Sequence, residues 1–79
     1  MTVHRIRYTG PPALAVGVAT LLADADGVDM ISSHQPLLVD EHTVELDMSV
    51  EATADAAADA IATIGDDLPD GASIELVDD

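Results

Sequence analysis

At 79 residues the chain has room for one compact domain, read here as spanning residues 1–79. It contains no cysteine, which excludes disulfides, thiolate catalysis and cysteine metal sites. Sixteen acidic residues stand against two basic ones, giving a formal charge of −14, and Tyr8 is the sole aromatic. Counterion release from phosphates and stacking on bases, the two routes to nucleic acid, therefore both lack their residues.

The hydrophobic 48% is mostly small: thirteen Ala, eight Val and eight Leu. A core built from these must be aliphatic and modest in stability. The acids run from Asp24 to Asp79, Asp outnumbers Glu twelve to four, and there is no Lys. Such a surface repels itself in dilute buffer and is relieved where molar salt shortens the Debye length to about 3 Å. The composition resembles that of cytoplasmic proteins of extreme halophiles, so the acidity reads as adaptation to salt before it reads as recognition of a basic partner.

Along the chain, Val3–Tyr8 alternates as a strand with His4, Ile6 and Tyr8 on one face and Val3, Arg5 and Arg7 on the other. Thr9-Gly10-Pro11-Pro12 breaks it and leads into a helix, with Leu14, Val18, Leu21, Leu22 and Ala25 as its apolar stripe and Asp26-Gly27 as its end. Val28–Ser33 reads as a second strand. Gln35–Glu41 holds Pro36, a short Leu37-Leu38-Val39 extension and an acidic turn. His42–Met48 alternates again. Ser49 is the expected N-cap of a second helix, with Val50, Ala54, Ala57, Ile61 and Ile64 inward and Gly65 at its end. Residues 66–71 form a turn, and Ser73–Val77 is the last strand, with Ile74 and Leu76 inward. The order βαββαβ closes naturally as an α+β ferredoxin-like sandwich, a four-stranded antiparallel sheet with two helices on one face.

No signal peptide is visible, and the nearly apolar stretch 11–23 is too short to span a bilayer, so the chain reads as cytoplasmic with no membrane partner. Arg5 and Arg7 face Glu45, Asp47 and Glu75 in the expected strand order 4-1-3-2. Their expected role is cross-strand pairing, the alternative an anion site. His4, His34 and His42, with Asp40 and Glu41, do not show the converging spacing of a metal site. Asp66, Asp67 and Asp70 lack the order of a calcium loop. No hydroxyl is paired with a histidine base and there is no phosphate loop, so neither an enzyme nor a cofactor is expected.

Two features remain. At Thr9-Gly10-Pro11, glycine lets a ligand approach the backbone and a helix N-terminus follows, so a ligand contact stands beside a purely structural corner. The first helix carries only Ala13, Val16, Gly17, Thr20 and Ala23 beyond its core stripe, uncharged in a chain acidic almost everywhere else. A lone monomer normally puts charge there, so self-association is expected through these five residues.

Gly10-Pro11-Pro12, the apolar helix through Leu21-Leu22-Ala23 and then Gly27-Val28-Asp29-Met30 resemble the ACT domain. The resemblance covers most of the chain, although the family's acid–x–Pro–Gly corner is here Thr9-Gly10-Pro11-Pro12. It implies a non-catalytic regulatory module, a homo-oligomer binding a small effector such as an amino acid between subunits. The matching positions are Thr9, Gly10 and Pro11 with Val28, Asp29 and Met30. Output would then pass through a separate protein partner. The alternative expectation is a protein–protein adaptor or assembly subunit with no small-molecule ligand.

Overall fold

The computed structural model describes residues 2–77. Seven elements follow in order: β1 (Thr2–Gly10), α1 (Pro12–Asp24), β2 (Asp29–Ser33), β3 (Leu37–Asp40), β4 (Thr43–Ala52), α2 (Ala54–Asp66) and β5 (Ser73–Leu76). They form an α+β structure of two helices and one open, antiparallel, five-stranded sheet.

The sheet is organised by its two long central strands. β1 and β4 pair without interruption from Thr2↔Ala52 to Gly10↔Val44, and β5 extends the sheet beyond β1. Period-2 alternation makes this pair two-faced. His4, Ile6 and Tyr8 of β1, with Val44, Leu46, Met48 and Val50 of β4, are buried on the helix side. Arg5, Arg7, Glu45 and Asp47 occupy the other side. α1 packs on β1, β4 and β2, and α2 packs on β5 and α1. Ile6, Tyr8, Leu22, Met48 and Val50 are the largest fully buried side chains, and burial of each aliphatic one stabilises the fold by roughly 1.5–3 kcal/mol.

Four strands were expected and five are present. β2 and β3 both pair with β4 on its outer side, β2 against residues 48–51 and β3 against residues 43–45. Pro36 has no N–H to donate, and the chain leaves the ladder between them. The register also slips at Met30/Ser32 and at Leu38/Asp40. The turn from β3 to β4 is closed by Asp40, whose carboxylate accepts the amide of His42 at 2.8 Å. That bond holds the Asp40 carboxyl below its ordinary value.

The second helix begins later than its pattern suggests. Ser49 is a strand residue paired with Arg5, and the N-cap is Thr53, whose hydroxyl accepts the amide of Ala56 at 3.1 Å. Val50 and Ala52 continue the inward alternation of β4, so Val50 belongs to the sheet and Ala54 is exposed. The buried stripe of α2 is Ala57, Ala60 and Ile64. Gly65 lies inside the helix, which is capped at Asp67. In α1 the buried residues are Ala15, Val18 and Leu22, while Leu21 is 50% exposed. Small alanines let the helix sit close to the sheet and turn Leu21 outward. Leu76, expected to point inward, pairs with Ile6 but lies on an edge strand and is 42% exposed. Among the described residues no helix is long and apolar enough to cross a membrane.

Candidate functional site

The Thr9–Pro11 corner is packed with protein. The hydroxyl of Tyr8 donates to the carbonyl of Pro11 at 2.9 Å, and the same carbonyl accepts the amide of Leu14 at 3.2 Å. A Cβ at Gly10 would lie 2.7 Å from the Tyr8 hydroxyl and 2.8 Å from Ala72 Cβ. Glycine is therefore required by the close approach of the chain's own atoms. Pro12, at the start of α1, offers no N–H to an anion. Thr9 lies on the uncovered sheet face, between Glu45 and Ser73.

Val28, Asp29 and Met30 lie at the opposite end of the sheet. Gly10 pairs with Val44 and Met30 with Val50, six residues along β4 and so about 20 Å apart at the usual strand rise. Val28 is buried, Asp29 exposed and Met30 half-buried. A single chain does not bring these two groups of residues together.

α1 presents the expected face. Ala13, Val16, Gly17, Thr20 and Ala23 are all exposed, Val16 to 76%. Thr20 satisfies its hydroxyl on the carbonyl of Val16 at 2.9 Å, so it adds no unpaired donor to this face. Beside the helix runs a groove of about 380 Å³, walled by Val16, Ala19 and Ala23 on one side and by Met30, His34 and Pro36 on the other. Past Pro36, β3 adds Leu38, 70% exposed and paired with the inward Val44, while Leu37, 64% exposed, is paired with Glu45 on the other sheet face. Of the eight large hydrophobic residues exposed among the described residues, six lie on α1 or the β2–β3 edge: Val16, Leu21, Ile31, Leu37, Leu38 and Val39.

The electrostatics of this face follow from two stretches of sequence. Residues 8–23 and residues 30–39 contain none of the chain's 18 charged residues. Asp24, Asp26 and Asp29 separate them in sequence, and the fold sets them side by side along the groove. Sequence reasoning identified the helical half and missed the strand half. The signal was there, a ten-residue charge-free run from Met30 to Val39, but its adjacency to α1 depends on strand pairing that the pattern does not display.

The remaining charged and imidazole groups are arranged differently. The Arg7 Nε donates to Asp47 Oδ1 at 2.9 Å and lies 3.4 Å from Glu45 Oε1. The hydrogen bond to Asp47, followed by the attraction of Asp47 and Glu45, raises the guanidinium pKa further. Cross-strand pairing is thus what Arg7 does. His4 is buried opposite Val50. The amide of His34 bonds the carbonyl of Asp47 while His42 immediately precedes Thr43, which separates the two by about 13 Å along β4. Asp66, Asp67 and Asp70 are exposed around the end of α2. Among the described residues no three His, Asp or Glu side chains are grouped so as to hold a metal.

The chain matches no family model and no curated protein.

Proposed function

We propose that this chain is a non-catalytic assembly module that pairs with a second copy of itself through the uncharged face of α1 and the β2–β3 edge. One observation carries the reading. In a chain of charge −14, two charge-free stretches, residues 8–23 and 30–39, adjoin along one groove to form an uncharged, largely apolar surface. Two molecules of the same net charge can approach closely only where neither presents charge, and an exposed apolar sheet edge is itself a template for pairing. A basic partner would instead seek the carboxylates that lie everywhere else.

Symmetry fits this surface. A two-fold axis normal to the sheet would run the two edges antiparallel, setting Ile31 of one copy near Leu38 of the other and α1 beside α1. The topology behind the reading is ferredoxin-like. With β2 and β3 counted as one strand interrupted at Pro36, the sheet runs fourth-first-third-second. The setting is a salt-rich cytoplasm, where the acidic remainder of the surface is screened.

A second reading keeps the ACT-like effector module, and the same symmetry favours it. Antiparallel joining brings the Thr9–Pro11 end of one copy and the Val28–Met30 end of its partner to the same end of the combined sheet. An amino acid held there would bridge subunits.

Light scattering in 2 M KCl distinguishes these states. Assembly predicts twice the 8.1 kDa chain mass for the unaltered protein. Val16→Asp and Leu38→Asp should each give the monomer mass with an unchanged far-ultraviolet circular dichroism spectrum. A monomeric parent, or variants that assemble as well as the parent, would sink the proposal. A thermal-shift screen with amino acids on the assembled protein tests the second reading, since ligand near 100 times its Kd should add about 2.7 kcal/mol of stability.

A further inference from the structure

We infer that the groove between α1 and α2 binds a linear aliphatic diamine or polyamine, with the hydrocarbon on the groove floor and an ammonium group toward each end. The groove has a volume of about 500 Å³, within the range of small-molecule sites. It lies on the other flank of α1 from the groove of the assembling face, and its use does not depend on assembly.

Two rows of α2 build one wall. Ala56, Ala60 and Ile64 recur every fourth residue as an apolar row, and Asp59, Thr63 and Asp67 recur every fourth residue beside it. Residues at this spacing share one face of a helix, and the eight residues from Asp59 to Asp67 span about 12 Å along its axis. Across from them α1 supplies Leu21, 50% exposed although its place in the apolar stripe of the helix predicts burial. Asp26 belongs to the Asp59 end of the groove, because a Cβ on the next residue, Gly27, would lie 3.3 Å from the Cβ of Ala56 near the start of α2. Carboxylates thus stand toward both ends, with hydrocarbon between them and the Thr63 hydroxyl midway as an acceptor for an internal N–H.

The chain's own arginines do not answer these carboxylates. Both are on the uncovered face of the sheet, Arg5 opposite Ser49 and Arg7 held by Asp47 and Glu45, and the chain has no Lys. Potassium ions neutralise carboxylates but leave Leu21 and the floor in water. An alkyl chain covers the floor while its ends carry the charge, so the apolar and ionic contributions add, and molar salt weakens only the ionic one. A lysine side chain of another protein brings one ammonium on a tethered stem, whereas carboxylates at two ends are matched by two, which favours a free diamine.

The test is isothermal titration calorimetry of the full chain in 2 M KCl with diaminobutane, diaminooctane, spermidine and octylamine. Diaminooctane and spermidine are long enough for their terminal ammonium groups to reach both Asp59 and Asp67. Each should bind more tightly than the short diaminobutane and more tightly than octylamine, which has one ammonium. Asp59→Asn and Asp67→Asn should each weaken diaminooctane about two- to five-fold, the loss expected of one exposed ion pair. Leu21→Ser should weaken diaminooctane and octylamine alike. Asp55→Asn and Asp70→Asn remove exposed carboxylates outside the groove and change the net charge by the same amount, and they should leave binding unchanged. Far-ultraviolet circular dichroism should be the same for all five variants. No binding of any of these amines overturns the site. Equal affinity for diaminobutane, diaminooctane and octylamine, or an equal loss in all four Asp→Asn variants, overturns it as well, since either is diffuse attraction to the net charge. A parent that is monomeric in light scattering sinks the assembly reading and leaves this site standing.

Discussion

The hydroxyl of Tyr8 donates its hydrogen bond to the carbonyl of Pro11, 2.9 Å away, and so ties the last turn of β1 to the residue that precedes α1. The only aromatic side chain of the protein is thereby buried with its polar end satisfied at the corner on which the helix pivots. Tyr8→Phe keeps the ring and removes the bond, and it should destabilise the fold by about 0.5–1.5 kcal/mol in urea unfolding in 2 M KCl. An unchanged unfolding midpoint would show that water replaces the hydroxyl at no loss.

Burial also pushes the Tyr8 hydroxyl pKa above its ordinary value of 10.0. The sign follows from proton counting. Above the unfolded value the unfolded chain releases this proton and the folded chain retains it, so unfolding is favoured as pH rises. Stability from this group is complete below about pH 10 and declines above it. Alkaline unfolding of the parent should therefore begin near that pH, and Tyr8→Phe should unfold at higher pH than its neutral-pH stability alone would suggest. Coincident alkaline profiles, after correction for the neutral-pH difference, would contradict this assignment.

Gly10→Ala tests the same corner from the other side. The added methyl group would meet the Tyr8 hydroxyl at 2.7 Å and the Ala72 Cβ at 2.8 Å, and both neighbours are anchored. Overpacking of this kind costs about 1–3 kcal/mol. Gly17→Ala is the control, because nothing lies within 4 Å of its position and it sits in an exposed helix. It should be neutral or stabilising by up to about 1 kcal/mol. Thermal melts that rank the two substitutions the other way would mean that the corner relaxes freely.

The start of α2 shows how far the sequence can be read. Val50 and Ala54 satisfy a helical spacing of four, and Val50 and Ala52 equally satisfy the spacing of two that extends β4. The structure resolves this ambiguity through Glu51, which pairs with Val3 and with Asp29 and so commits the segment to the sheet. β1 and β4 were legible because charge alternates with apolar residues along them. Leu21 was not, because whether Leu21 or Ala15 faces inward depends on how closely an alanine-rich helix approaches the sheet. Half of the candidate face was legible for a similar reason. Uncharged residues on a helix are visible as a stripe, whereas the neighbour of an edge strand is fixed by register. Thr53→Ala should therefore cost about 1 kcal/mol as a lost N-cap, while Ser49→Ala should leave stability nearly unchanged. The reverse ranking in urea unfolding would restore Ser49 as the cap.

Salt dependence closes the argument, because it sets the conditions in which every other experiment has meaning. Arg7 lies between Asp47 and Glu45 on the uncovered sheet face, where Asp29, Glu51 and Glu75 outnumber Arg5 among the other charged residues. In about 10 mM salt the Debye length is about 30 Å, comparable to the molecule's longest extent of 37 Å, so nearly every carboxylate repels every other. At about 1 M it is about 3 Å and only contacting charges interact. Circular dichroism should thus show structure lost as KCl falls from molar to about 10 mM, and full structure in dilute buffer would overturn the reading of the acidic surface. Arg7→Gln deprives Glu45 and Asp47 of their shared cation, and the KCl concentration at half-unfolding should move upward. Because the exposed face of α1 from Ala13 to Ala23 carries no charge, Val16→Asp should add to the same salt requirement by placing a carboxylate on a surface that had none. A salt midpoint unmoved by either substitution would mean that local pairing is irrelevant and net charge alone governs folding.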